Sequence, residues 1–415
     1  MSHRKPSFAV LATLWDKIRF VTMAVGVTAV VALAVTAYAQ IQTPAPARRS
    51  EIQRALPITK FYNTPDPLPA GKPGALIRSQ EFDEYELPYS ISAVRILYHS
   101  RSASGADVAA SGVVLFPYDK KPPAGGWPVI AWAHGSTGVA RPCAPSLMRN
   151  IGHGPFLAMY VNLGYAVVAT DYTGLGTSFR NAFLDGPSNA TDVINSVAAA
   201  RAAVPQLGAR WIVMGEAEGG LTAVAVAEKE NENEIRDQDY LGAIAISKVA
   251  NVKEIYEHSA PGSSSLMLTS LAYGIKTVYP QFQVGDMLTE KGHALYHEIE
   301  QMCSQPRTMP ELSPIEMVKP GWESNAFVRQ YFERNNPGLT RAYGPILVIS
   351  GTDPAATLAT MTSQAIRRMC KRGDRVQWER YPNLDAGSVI GDSVRDQIGW
   401  VEGRFAGRPS PTNCP

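Results

Sequence analysis

Residues 211–228 read WIVMGEAEGGLTAVAVAE. An apolar run, a corner flanked by Gly215 and Gly219, and an Ala- and Val-rich stretch predict strand, sharp turn and helix. A corner with glycines two positions either side of its centre lifts the central side chain out of the chain, where a nucleophile would meet its target. Here that central residue is Ala217.

Covalent chemistry at such a corner needs three further parts: a base, an acid that orients the base, and backbone amides for the developing oxyanion. One amide is expected from Glu218, the residue after the centre, and another from a loop that follows an earlier strand. The sequence HGST, from His134 to Thr137, follows the buried-strand run WPVIAWA. Gly135 and Ser136 are therefore the candidates for that loop, and glycine lets backbone approach a ligand closely. Asp353, after the run PILVIS and the pair Gly351-Thr352, is the candidate acid. It also stands before Pro354, where an aspartate caps a helix, and the two roles are compatible.

The base should follow the acid in the chain. All seven histidines (His3, His99, His134, His153, His258, His293 and His297) precede Asp353. The loop expected to carry the base, YPNLDAGSVIG from Tyr381 to Gly391, has Ala386 between Asp385 and Gly387. Ala217 has no lone pair with which to attack, and Ala386 cannot accept a proton. The stand-ins are poor. Glu216 and Glu218 flank the projecting position without occupying it. Ser136 and Ser388 have no evident base, and His134 closes a buried strand, where a histidine is usually structural. No cofactor or metal is called for, and there is no zinc-type Cys/His spacing.

The elements that must position these residues follow from the pattern. ISAVRILYHS and VAASGVVLFP predict two antiparallel strands joined around Ser104-Gly105. WPVIAWA, GYAVVAT, WIVMGE, YLGAIAIS and PILVIS read as buried strands, and Asp192–Val204 as a helix with an acidic first turn. Strands alternating with helices predict an α/β fold: a mainly parallel sheet covered by helices on both faces. Between residues 251 and 341 that rhythm is lost, which predicts an inserted helical cap over the carboxyl ends of the strands. Residues 40–90, rich in proline, read as a linker or arm, with the domain proper at 91–415.

Arg4, Lys5, Lys17 and Arg19 precede an apolar stretch from Phe20 to Ala39 that closes on Ala37-Tyr38-Ala39. This is the pattern of a cleavable signal peptide over 1–39, or of an N-terminal membrane anchor if the segment is retained. Both place the bulk of the chain outside the cytoplasm, and membrane contact through residues 20–39 follows only if they are uncleaved. Cys143, Cys303, Cys370 and Cys414 suit disulfides of an oxidising compartment. Three pairings exist on paper; Cys370–Cys414, which would tie the tail to a helix, and Cys143–Cys303 are preferred. A net charge of +2 with no Lys/Arg-rich run argues against nucleic acid as a partner.

Taken together, PVIAWAHGSTG, LGYAVVATDYTGLG, VMGEAEGG, GPILVISGTDP, YPNLDAGSVIG and the tail WVEGRFAGRP…C resemble the secretory lipases, the fungal lipase A type and their bacterial relatives. The matching segments lie in order over most of residues 90–415. The resemblance implies an α/β-hydrolase fold with a helical cap, and a Ser-Asp-His triad acting on lipid or other esters. It carries over Asp353 as acid and Gly135 and Ser136 as oxyanion loop. Positions 217 and 386 match the family's nucleophile and base in place, but both are alanine. The expected ligand is a lipid or small ester or acyl compound, and the expected catalysis is none or nearly none. A non-catalytic protein that binds such a ligand, or a protein partner, is the alternative.

Overall fold

The computed structural model describes residues 55–229, 239–247, 249–257, 264–301, 303, 312–352 and 358–414. The chain divides into two units, Met1–Ala55 and Leu56–Pro415. The expected signal or anchor segment, 1–39, lies outside the described residues, as does Asp353. The sheet and its covering helices all belong to the second unit.

Nine strands form one sheet in the order β1-β2-β3-β5-β4-β6-β7-β8-β9. They are β1 (Leu76–Glu81), β2 (Ile91–Arg101), β3 (Asp107–Pro117), β4 (Trp127–Ala133), β5 (Ala166–Thr170), β6 (Leu207–Glu216), β7 (Tyr240–Ile246), β8 (Ile346–Thr352) and β9 (Val376–Pro382). β2 and β3 pair antiparallel along their whole length, from Ile91–Pro117 to Arg101–Asp107. β3 is antiparallel to β5. From β5 through β4, β6, β7 and β8 to β9 every pairing is parallel. The carboxyl ends of those six strands therefore share one edge of the sheet.

Alternation along β4 divides the core. Val129, Ala131 and Ala133 point into one apolar cluster, and Ile130 and Trp132 into another on the opposite face. Helix α1 (Gly154–Asn162) covers the second face with Leu157 and Val161. Helices α2 (Gly186–Ala203) and α3 (Glu218–Glu228) cover the first through Val193, Ile194, Val197, Ala223 and Val224. The strands are buried on both sides, which is why they read as near-continuous apolar runs.

Between β7 and β8 come α4 (Val252–Glu257), α5 (Ser264–Val278), α6 (Glu290–Glu298), α7 (Pro314–Met317) and α8 (Ala326–Arg334). They build an apolar cluster of their own, which takes in Val139, Phe183, Leu184 and Leu221. Val139 follows β4, Phe183 and Leu184 follow β5, and Leu221 lies in the first turn of α3, so this helical layer sits over the shared carboxyl edge. After β8 come α9 (Leu358–Lys371), on the α2 face, then α10 (Val389–Asp392) and α11 (Val394–Phe405), on the α1 face. Disulfides join Cys143 to Cys303 and Cys370 to Cys414. The first ties the loop after β4 to the cap, and the second ties the C-terminal tail to α9.

The structure departs from the sequence reading at two places. The unit begins at Leu56, and residues 76–81 are an edge strand paired with β2 rather than linker. The prolines around them hid a short strand. Helix α2 starts at Gly186, six residues before Asp192. Asp185 caps it, accepting from Ser188 N at 3.2 Å. Pro187 is tolerated because a first-turn N–H has no intrahelical partner. Asp192 consequently lies inside the helix and is buried, not in a first turn.

The cap is anchored where α8 meets α2. Arg334 donates to both oxygens of the fully buried Asp185 carboxylate, at 2.7 and 2.9 Å, and Asn335 Nδ2 adds a third bond at 3.1 Å. The return loop is held by Glu228 at the end of α3, which accepts from Gly338 N; its carbonyl accepts from Thr340 Oγ1 at 3.0 Å. Burial pushes the Glu228 carboxyl from an ordinary 4.5 up to about 8. Ionisation thus works against the folded state: this group costs nothing below about pH 4.5, stability falls as the pH rises from there to about 8, and the loss is complete above that. Glu228→Gln keeps an acceptor for Gly338 and removes the charge. Its melting temperature is expected to match the parent at pH 4.5 and to exceed it by several degrees at pH 9, measured by circular dichroism across that range.

Candidate active site

The site is built at the end of β6. Ala217, between that strand and α3, has φ 53° and ψ −113°. A non-glycine residue there is strained by about 1–3 kcal/mol. The strain is enforced by neighbours. A Cβ on Gly215 would fall 2.0 Å from Gly219 O, and one on Gly219 would fall 1.8 Å from Ala133 O. The corner also hangs on the sheet through Ala217 N, which donates to Ile246 O at 3.1 Å. Strand, turn and helix are therefore as the sequence predicted, with the methyl group of Ala217 at the projecting position.

Gly135 faces this corner. A Cβ there would sit 2.7 Å from Glu216 Oε2 and 3.4 Å from Ala217 Cβ. The loop after β4 thus lies within van der Waals reach of position 217, and Ser136 is exposed. Glu218 opens α3, so its N–H has no intrahelical acceptor and is available to an oxyanion. Its side chain does something the sequence did not disclose. The carboxylate is buried and accepts from Ser136 Oγ at 2.6 Å, Leu184 N at 2.8 Å and Asn189 Nδ2 at 3.0 Å. One carboxylate thereby locks the loop after β4, the loop after β5 and α2 onto the corner. Asn189 carried no signal, because an asparagine in an alanine-rich helix has no motif around it.

Position 386 lies beyond β9. The loop there packs on the end of β8, since a Cβ on Gly351 would fall 2.1 Å from Leu384 O and 3.0 Å from Asp385 O. Asp385 Oδ1 accepts from Ser388 N at 2.7 Å, Ser388 Oγ at 2.8 Å and Gly387 N at 2.9 Å. Those donors, the Ser388 N–H foremost, hold its carboxyl below the usual range. The turn around Ala386 is tied internally, and Ser388 is committed to it. Ala217 and Ala386 follow strands whose carboxyl ends share one edge, as does Asp353 in the sequence after β8.

His134 is not poised as a substitute base. It is buried and stacked on Tyr172 with ring centroids 4.3 Å apart. Its nitrogens lie 2.6 Å from Gly135 O and 3.2 Å from Asp171 O, so both face main-chain carbonyls rather than a hydroxyl. Ser136 does have a carboxylate beside it, contrary to the sequence reading, but two further donors already occupy Glu218.

Because position 217 is strained without any group to present, relief should be measurable. Ala217→Gly costs about 0.5–1 kcal/mol in chain entropy against about 1–3 kcal/mol of strain removed. A net gain of about 1 kcal/mol is expected, read as a raised denaturant midpoint at unchanged slope. A lowered midpoint would mean that the corner is relaxed as it stands.

The secretory lipase family model matches residues 154–413. Among solved structures, Candida antarctica lipase A in its closed state aligns with a TM-score of 0.73 at 15% identity, covering 86% of this chain and 89% of that one. The rice cell wall degrading esterase LipA from Xanthomonas oryzae aligns at 0.66 and 19% identity, over 81% of this chain and 98% of that one. A putative hydrolase from Legionella pneumophila aligns at 0.67 and 18% identity, over 81% and 100%. A comparison with curated proteins found no match. The structural likenesses, at such identities, speak for the α/β-hydrolase fold, whereas the family match spans more than half of the residues: the chain belongs to the secretory lipase family.

Proposed function

We propose that this chain keeps the scaffold of an ester hydrolase and has lost acyl transfer. The observation that carries the reading is the corner itself, its strained backbone intact and a methyl group where an oxygen would attack. Ala386 supports it, standing where an imidazole would take the proton. Losing either member of such a unit costs as much as losing all of it, about 10⁶ in kcat for the subtilisin triad. The Glu218 carboxylate, bonded to the oxyanion loop, adds negative charge beside the place where an oxyanion would form, which opposes the transition state further. Asp353 is the acid left without a base to orient, and Gly135, Ser136 and the Glu218 N–H are the oxyanion donors left without an intermediate.

The ligand class comes from the family: a lipid or other carboxylic ester, or its acyl part, held under the cap without turnover. Two disulfides and the family's secretory character favour a place outside the cytoplasm. Among the described residues no helix is long and apolar enough to cross a membrane. Contact with a bilayer would fall to residues 20–39 if they are retained.

The test is a panel of nitrophenyl esters from acetate to palmitate, applied to the unchanged protein and to Ala217→Ser/Ala386→His. The unchanged protein is expected to show no turnover above the uncatalysed rate. The double variant is expected to hydrolyse at least one ester about 10²-fold faster. Turnover by the unchanged protein at enzyme-like rates would overturn the reading.

A further inference from the structure

A cavity of about 430 Å³ lies at the seam between the sheet unit and the cap. That is within the range of about 300–1,000 Å³ typical of small-molecule sites. One wall comes from the tip of the β2–β3 hairpin, the loop after β5 and the first half of α2; the other comes from the C-terminal end of α5, Val284 and Tyr296 of α6. Neither Ala217, Gly135, Glu218 nor Ala386 lines it. Asn189 does, and its amide donates to Glu218, so the cavity backs onto the corner network without opening on it.

The lining divides by chemistry. Ala103, Val108, Phe179, Ala182, Pro280 and Val284 make it largely apolar. Three cations, Arg101, Arg180 and Lys276, also line it, against one acid, Asp192. Arg101 is paired with Asp107 at 2.6 Å. Arg180 is paired with Glu300 at 3.0 Å, bonded to Tyr296 and laid over the Tyr273 ring at 4.0 Å. Lys276 differs. Its ammonium donates to Pro280 O at 2.7 Å and Phe282 O at 2.9 Å, and among the described residues no carboxylate pairs with it. Two of its three donors are used, so the group is fixed in place with one N–H and its charge to spare. No ion pair joins Asp192 to it among the described residues; the Asp192 oxygens accept from Ser100 Oγ, Thr173 N and Thr173 Oγ1.

We propose that this seam cavity binds a single-chain amphiphile with an anionic head, the head on Lys276 and the alkyl tail along the apolar lining. The pairing is one of charge complementarity: a lysine held by two carbonyls, with no carboxylate partner among the described residues, in the wall of a largely apolar hollow suits a group that is charged at one end only. A carboxylate and a phosphate monoester both supply that head. The inference does not depend on the loss of acyl transfer, because no residue of the corner takes part.

Calorimetric titration of the full chain with dodecanoate, dodecyl phosphate, dodecanol and dodecyltrimethylammonium, each below its micelle concentration, tests it. Dodecanoate, dodecyl phosphate or both are expected to bind, and the two arms tell which head is preferred; dodecanol and the ammonium are expected to bind at least tenfold more weakly. Lys276→Met, which keeps the alkyl stem, should weaken binding of the anionic probe about tenfold or more. Ala103→Trp should abolish it by filling the cavity, while Lys319→Met, which removes an exposed lysine of the cap that does not line it, should leave it unchanged. Thermal melts of the three variants establish that each is folded. Equal binding of the neutral probe, no effect of Lys276→Met in a folded protein, or an equal loss of binding in Lys319→Met would each overturn the proposal. Ester turnover is scored separately, so that failure of the inactive-scaffold reading would not be mistaken for failure of this one.

Discussion

The functional edge of this molecule depends on one backbone contact. Gly219, in the first turn of α3, is pressed against the carbonyl of Ala133 at the end of β4, with Gly215 pressed against Gly219. No side chain larger than hydrogen fits at either position. That contact sets how steeply the chain reverses after β6, and hence where position 217 points. It also brings the loop after β4 against the corner, so Gly135 comes within reach of Ala217 without any side-chain bond being needed. Close packing of this kind is all-or-none, because interiors have little free volume with which to absorb a misplaced methyl group.

Polar groups then fix what the backbone has shaped. Glu218 joins three segments through one carboxylate, and Asp185 joins α2 to the cap through another. Both are buried and both are satisfied by several donors, the condition under which a buried charge is tolerable. Removing a donor from either would leave a buried carboxylate under-satisfied, at a cost of about 1–3 kcal/mol. The cap has its own apolar cluster, which reaches down through Phe183, Leu184 and Leu221 to the helix that carries the corner. Anything that moves the cap is therefore felt next to Glu218.

The turns at 217 and 386 hold their geometry with only a methyl group as side chain. The strained dihedrals at 217 persist although there is no hydroxyl to present. The explanation is mechanical: the glycine contacts and the hydrogen bond from Ala217 N to Ile246 O dictate the turn whatever side chain stands there. The loop around Ala386 is likewise held by Asp385 through its own amides rather than by any group at 386. Shape and chemistry are separable in this fold, because the shape is made by main chain.

What the sequence determined by itself was whatever is written in local pattern. Period-two and continuous apolar runs gave the strands, glycine spacing gave the corner at 215–219, and the order of segments gave the parallel sheet, the family and the two positions that lack chemistry. It misplaced the start of α2, where Gly186 and Pro187 read as turn residues, and it passed over β1 among prolines, because an edge strand needs no long apolar run. Only the tertiary structure decided the rest. It made Glu218 a clamp, gave Asn189 and Asp185 their partners, paired the exposed Ser136 with a buried acid, and formed the cavity between hairpin and cap. Each of these joins residues from about 30 to nearly 200 positions apart, and such contacts are set by packing between elements, which no local pattern encodes.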